Sequence, residues 1–268
     1  MNRSTPIRRP IRIPWLLIYA VIVVIYLFFP IFIIALFSFN DSPAISFPIR
    51  GLSLRWYIEV LQSPIFISAL KNTLIVGTIT TTLCVAIGLL AALAITRYNF
   101  RLKPALRGFF LVPLSLPGLF IGLSLLSYFT SLNISLSLAT VVVGHLIYTL
   151  PYFFLVASTR LERFDRLLEE AAQDLGCTPW ETFWKVNFPI IAPSIIGAAL
   201  IVFALSFDEF LITFFVIGTE STLPMLVWSM MRRSIDPRVN AISVVLILAS
   251  MVLLYFMSRV IDISELEI

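Results

Sequence analysis

Six apolar runs, each long enough to cross a bilayer as a helix, constrain this chain more than any other feature. They fall at about Trp15–Phe37, Asn72–Thr96, Gly108–Phe129, Leu138–Thr159, Ile190–Ile217 and Val239–Val260. A hydrocarbon layer of about 30 Å needs about 20 helical residues. The runs are continuous rather than alternating, which excludes a transmembrane barrel. Composition agrees: 59% of residues are hydrophobic, 13% are charged and the mean hydropathy is +0.99. An all-α membrane protein is therefore expected, with a tail at 1–14, a transmembrane domain at 15–261 and a tail at 262–268. The basic N-terminus leads into an apolar run that is too long for a cleavable signal peptide and lacks a small-residue cleavage site.

Basic residues orient the spans. The N-terminus (Arg3, Arg8, Arg9, Arg12), the connection after the second span (Arg97, Arg101, Lys103, Arg107), the fourth-to-fifth connection (Arg160, Arg163, Arg166, Lys185) and Arg259 near the C-terminus carry thirteen positive charges. The alternate segments carry six, namely Arg50, Arg55, Lys71, Arg232, Arg233 and Arg238. The first set and both termini are expected in the cytoplasm. These loops account for most of the net charge of +4, so no nucleic-acid partner is implied. The outer loop 38–70 is expected to hold a short helix near Leu54–Leu61, and the outer loop 218–238 is of similar size.

One polar interval stands out, residues 165–189, DRLLEEAAQDLGCTPWETFWKVNFP. It predicts two short helices and a turn. Asp165 is an N-capping residue type, and Leu167, Leu168, Ala171, Ala172 and Leu175 share one apolar face over Asp165–Leu175. Gly176 ends that helix. Thr178, Pro179 and Glu181 open the next with a capping box and a proline at its first position. It presents Trp180, Phe183, Trp184 and Phe188. A solvated connector has no use for such a face; a partner groove does.

Asp208 and Glu209, in LSFDEFLITFF, are the only acids embedded in an apolar run apart from span ends. Each carboxylate costs at least about 2.5 kcal/mol in hydrocarbon, so the pair belongs at a bundle interior, a cavity or an interface. Asp208 lies 18 residues beyond Ile190, roughly 27 Å of helical rise, which places the pair near the outer mouth of the fifth span. A cation-attracting ring and a helix end snorkelling to water both satisfy that depth. Neighbouring residues diverge by about 100°, so one of the two faces a pathway directly. Pro30, Pro113, Pro117, Pro151 and Pro193 lie in or beside apolar spans, where ordinary kinking is the default; the close pair Pro113 and Pro117, followed by Gly118 and Gly122, suits a broken helix lining a pathway. His145 is expected to be a hydrogen-bonded interior histidine, and Tyr128, Tyr148 and Tyr152 to serve as packing or an aromatic belt. Cys84 and Cys177 show no metal or redox spacing and read as structural.

The chain has no GxxxxGK[ST], GxSxG or HExxH. No catalytic residue, metal or cofactor is expected of it, and energy for transport has to come from another subunit.

Glu170-Ala171-Ala172, three residues, Gly176, nine residues and Val186-Asn187-Phe188-Pro189 resemble the EAA loop of ABC importer permeases, with apolar swaps at Val186 and Phe188. FSFN (37–40), RWY (55–57), RYNFRLKP (97–104), GHLIYTLPY (144–152) and SFDEF (206–210) resemble, in order, the PotC-like spermidine/putrescine permeases. That subfamily often carries an acid after the third-span proline, where this chain has Gly118; Asp208 and Glu209 match its fifth-span acidic pair. The resemblance implies a six-helix type I (MetI-like) importer permease in a bacterial plasma (inner) membrane, moving polyamine by alternating access. It implies as partners two cytoplasmic ATP-binding subunits holding ATP and Mg, a second homologous permease (or a second copy) and an extracytoplasmic binding protein. It makes Glu169, Glu170, Ala171, Ala172, Leu175, Gly176, Trp180, Phe183 and Pro189 the coupling-loop residues. Asp208, Glu209, Phe207, Phe210, Pro117 and Tyr148 become candidates for the pathway and outer gate. Rival readings are a permease for ferric iron or an anion such as sulfate or thiosulfate, a stand-alone secondary transporter or channel, and a purely structural subunit. The absence of an internal repeat and the single docking loop argue against the stand-alone transporter.

Overall fold

A computed structural model describes residues 15–43, 47–49, 51–233 and 237–260; the two expected tails lie outside the described residues. Among these residues the chain is helical throughout, with a lone backbone bridge between Asn40 and Leu52. In order the helices are α1 (Trp15–Ser38), α2 (Arg55–Gln62), α3 (Pro64–Arg97), α4 (Lys103–Leu111), α5 (Gly118–Ser131), α6 (Leu138–Glu162), α7 (Leu167–Asp174), α8 (Pro179–Thr182), α9 (Phe188–Asp208), α10 (Leu211–Val216), α11 (Leu223–Arg233) and α12 (Pro237–Val260). A 3₁₀ turn at Val112–Ser115 follows α4, and a π-helical stretch at Phe183–Asn187 joins α8 to α9.

Five helical segments are long and apolar enough to cross a membrane, and the bent pair 103–115 and 118–131 makes a sixth. That third span is broken by 106°. The break falls at Leu116 and Pro117, where proline removes a backbone donor and forces its predecessor into extended conformation (Leu116 ψ 126°). The fifth span differs from the expected Ile190–Ile217: α9 stops at Asp208, Glu209 is extended, and α10 starts afresh. The second span is longer than its apolar run, because Ser63 caps it from the far side and Pro64 sits at the first helical position.

The centre of the bundle is α3, α6 and α9. Phe153, Phe154, Ile95, Leu161, Ile191 and Val202 are fully buried there. Gly88 permits the close approach of α3 to α6, since a Cβ on it would lie 2.5 Å from Phe153 Cδ1. Two further clusters flank this core. One gathers Trp56, Phe66, Ala69, Phe207, Leu223 and Ile242; the other gathers Val76, Ile121, Phe129, Val141, Ile212 and Val216 around α10. α1 packs on α12 and is otherwise broadly exposed, as an apolar helix facing lipid is.

The two ends of the bundle are built differently. At the end away from residues 165–189, Trp56 Nε1 donates to the Asn40 carbonyl (2.7 Å), Asn72 donates to Glu220 and to the Ser221 carbonyl (3.2 and 2.9 Å), and the Leu223 amide donates to Thr73 Oγ1 (2.8 Å). These bonds fold the segments around Asn40 and 217–222 down onto the spans, and the amphipathic α2 lies among them. At the other end the termini of α3, α6 and α9 meet residues 165–189.

Candidate functional site

Residues 165–189 form a capped helix-turn-helix. The Asp165 carboxylate accepts from the Leu167 amide (3.0 Å) at the start of α7. Gly176 turns the chain at φ +90°, a left-handed conformation that side chains resist. The capping box is complete: Thr178 Oγ1 accepts from the Glu181 amide (3.3 Å) and Glu181 Oε2 from the Thr178 amide (3.0 Å). The expected apolar face is turned outward, with Leu167, Leu175 and Trp180 exposed at 67%, 87% and 70% and Leu168 and Trp184 about half exposed; Ala172 alone of that face is buried. Trp180, Phe183, Trp184 and Phe188 stack in series, with ring centroids 4.9–6.3 Å apart. A cluster of large apolar side chains standing in the open at the end of a membrane bundle is the signature of an interaction surface. Glu170 and Ala171 share its exposure, and so does Pro189 at the start of α9.

Glu169 points the other way. Its Oε1 accepts from Asn187 Nδ2 (3.0 Å) and pairs with Arg97 Nη2 at the end of α3. The Arg166 guanidinium donates to the Thr96 carbonyl (2.8 Å), Arg160 to the Ile190 carbonyl (3.3 Å), and Arg107 pairs with Glu162 (3.1 Å). A groove of about 690 Å³ runs between this network and α3, lined by Leu89, Leu93, Arg97, Glu169, Trp180 and Asn187 among others. Sequence reasoning missed every one of these ties, because their partners are 18–72 residues apart and share no local pattern.

The second candidate region lies where the two broken spans meet. Glu209 Oε1 accepts from the Ile212 amide (2.8 Å), capping α10, and the same oxygen stands 3.7 Å from where a Cβ on Gly118 would be. Pro117–Gly118, Glu209 and α10 are thus brought together, and Tyr148 on α6 packs against the cluster that holds Ile212 and Val216, with Tyr152 beside it, ring centroids 5.9 Å apart. Asp208 is not part of that group. It diverges toward α12, where both carboxylate oxygens accept from Ser250 (3.1 and 3.4 Å). Ser250 is thirteen residues into α12 from Pro237, about 20 Å of rise. The carboxylate therefore meets α12 about midway along that helix, from the last residue of α9. Phe207, expected on the pathway, is 4% exposed and packs with Ala69, Phe203 and Leu223 in the far-end core. Phe210 packs on Trp228 and Phe214, at 5.3 and 5.8 Å.

His145 is the residue that holds the break. It is 1% exposed, and its Nδ1 meets Ser206 Oγ (2.7 Å) on α9 while Nε2 meets Thr213 Oγ1 (2.8 Å) on α10. Both ring nitrogens are satisfied by hydroxyls, the hydrogen-bonded interior histidine expected from its setting.

Crossing helices, one span bent by 106°, another interrupted at two carboxylates, and a docking helix-turn-helix at one end define an importer permease fold. Solved structures share it: a bacterial ABC transporter involved in the import of the acidic polysaccharide alginate (TM-score 0.72, 15% identity, 95% of this chain and 99% of that one) and the inward-facing MetNI methionine ABC transporter (TM-score 0.63, 18% identity, 73% and 94%). The chain belongs to the family of binding-protein-dependent transport system inner membrane components, whose profile matches residues 84–267, and it is an inner-membrane protein. Among its relatives are the putrescine transport system permease protein PotI of Escherichia coli K12 (33% identical, covering 88% of this chain and 87% of that protein) and the spermidine/putrescine transport system permease protein PotC of Haemophilus influenzae (31%, 87% and 90%).

Proposed function

We propose that this chain is a permease subunit of an ATP-driven importer of polyamines. The observation that carries the cargo is the pair Asp208–Glu209 at an interruption of a membrane-crossing helix. Two carboxylates there cost several kcal/mol unless they meet water or cations, and an alkyl chain with ammonium ends supplies the cations while its methylenes tolerate the apolar walls. Tyr148 and Phe210 beside Glu209 suit such a chain. PotI and PotC, named for putrescine and spermidine/putrescine, support the same cargo.

Two cytoplasmic ATPase subunits hydrolyse ATP, bound with Mg, and dock on the exposed face of Leu167, Leu168, Leu175, Trp180 and Trp184, with Glu170 beside it. This chain catalyses nothing itself and binds no cofactor. It pairs with a second, related permease. The loop 165–189 and both termini face the cytoplasm, a reading supported by the thirteen-to-six distribution of basic residues. Closure of the ATPases moves the loop, α9 moves with it, and the junction of the broken spans opens to polyamine released by the binding protein outside.

The test is uptake of labelled putrescine by the complete importer in proteoliposomes. ATP-dependent uptake is expected. Asp208→Asn or Glu209→Gln should lower it, and Lys at either position should abolish it. Sulfate uptake that tolerates Lys there, with no putrescine uptake by the unmodified complex, would overturn the polyamine reading.

A further inference from the structure

Glu169 and Glu170 are neighbours on α7 and do different things. Side chains at consecutive helical positions diverge by about 100°, and here that separates an exposed Glu170 from a Glu169 turned into the bundle. Glu169 Oε1 is a three-way junction: it belongs to α7, accepts from Asn187 in the π-helical stretch that leads into α9, and pairs with Arg97, the last residue of α3. The Arg97 and Glu169 side chains are 14% and 17% exposed, so the pair is largely withdrawn from water, where losing either partner strands the other charge. Two more contacts close around it. Arg166 binds the carbonyl of Thr96, the residue before Arg97, and the Arg97 guanidinium lies 5.4 Å from the Phe164 ring centroid. Attachment at Thr96, at Arg97 and at Asn187 restrains the loop against sliding and against turning.

We propose that Arg97 and Glu169 are positioning residues that clamp the loop to α3 as well as to α9, so that the loop, α3 and α9 move as one body during transport. The proposal rests on the importer reading above. It differs from motion passed through the fifth span alone: α3 is the longest helix among the described residues and packs on both α6 and α9, so the clamp distributes the displacement across the whole central core.

The experiment uses the complete importer in proteoliposomes and measures the ratio of ATP hydrolysis with loaded binding protein to hydrolysis without it, together with labelled putrescine uptake. Arg97→Ala and Glu169→Ala should each lower the ratio roughly tenfold, the size of an ordinary coupling free energy. The charge exchange Arg97→Glu with Glu169→Arg should recover much of it, which shows that the ion pair and not either side chain alone carries the effect. A second variant guards against misfolding: Arg97→Cys with Glu169→Cys, in a Cys177→Ser background, joined by a short bifunctional maleimide. If the two residues move together, cross-linking restores the ratio and uptake. A cross-link that arrests both, or alanine variants that keep the full ratio, would overturn the clamp. An unmodified complex that ignores putrescine would count against the cargo alone, because the hydrolysis ratio and the cross-link still read the clamp.

Discussion

His145 offers the sharpest energetic test of how the interrupted fifth span is held. The imidazole joins Ser206 before the break to Thr213 after it, at 2.7 and 2.8 Å, from a position 1% exposed. Replacing it with Leu keeps most of the volume and removes both bonds. Interhelical hydrogen bonds in membrane proteins average about 0.6 kcal/mol each and reach about 1.7, so two of them set a loss of roughly 1–3 kcal/mol. The two hydroxyls are not equally stranded. Thr213 Oγ1 also donates to the Glu209 carbonyl (3.1 Å) and keeps that bond, whereas Ser206 has to turn toward its own helix. The measurement is a double-mutant cycle on the purified complex in detergent, with loss of helical circular dichroism titrated by SDS in wild type, His145→Leu, Thr213→Val and the double variant. A coupling of about 0.6–1.7 kcal/mol is expected. Additivity within about 0.3 kcal/mol would refute the bridge, because residues that share no interaction add to that precision.

Two further outcomes follow from the packing and the loop. Gly176→Pro, which cannot take φ +90°, and Glu170→Lys, on the exposed docking face, should each abolish uptake and stimulated ATP hydrolysis while membrane insertion, followed by fractionation, stays intact; uptake surviving both changes would remove the loop from the mechanism. Gly88→Val should cost about 1–3 kcal/mol in the same SDS titration by driving Phe153 out of its place between α3 and α6, and an unchanged midpoint would mean that the helices part more easily than their contact suggests.

Much of the fold was legible because a bilayer demands long apolar helices, and a run such as Trp15–Phe37 has no alternative. The third-span break was legible too, since Pro117 before Gly118 leaves few other outcomes. The break at Glu209 was not. Nothing in LSFDEFLITFF disfavours a helix locally; the interruption is imposed by tertiary bonds from His145 and by packing of Ile212 and Val216 against α5 and α6. Counting along the fifth span did not show that Asp208 is its last helical residue, nor that its carboxylate turns to Ser250 on α12 while Phe207 packs inward. The docking loop was read almost entirely from caps, glycine and periodicity, all local signals. Its inward anchor escaped, because Arg97 and Glu169 are 72 positions apart and each looks alone like a solvated charge.

The π-helical stretch at Phe183–Asn187 has a mechanical meaning. It inserts its extra residues without interrupting the rod, so the docking helix and the fifth span form one helix from Pro179 to Asp208, thirty residues or about 45 Å long. Such a rod carries the exposed Trp180 at one tip and a carboxylate at the other. A tilt of only about 10° about the docked end would sweep Asp208 through about 8 Å, given the rise of 1.5 Å per residue. On the function proposed above, ATPases docked at Trp180 need supply only a small angular stroke; the length of the helix does the amplification.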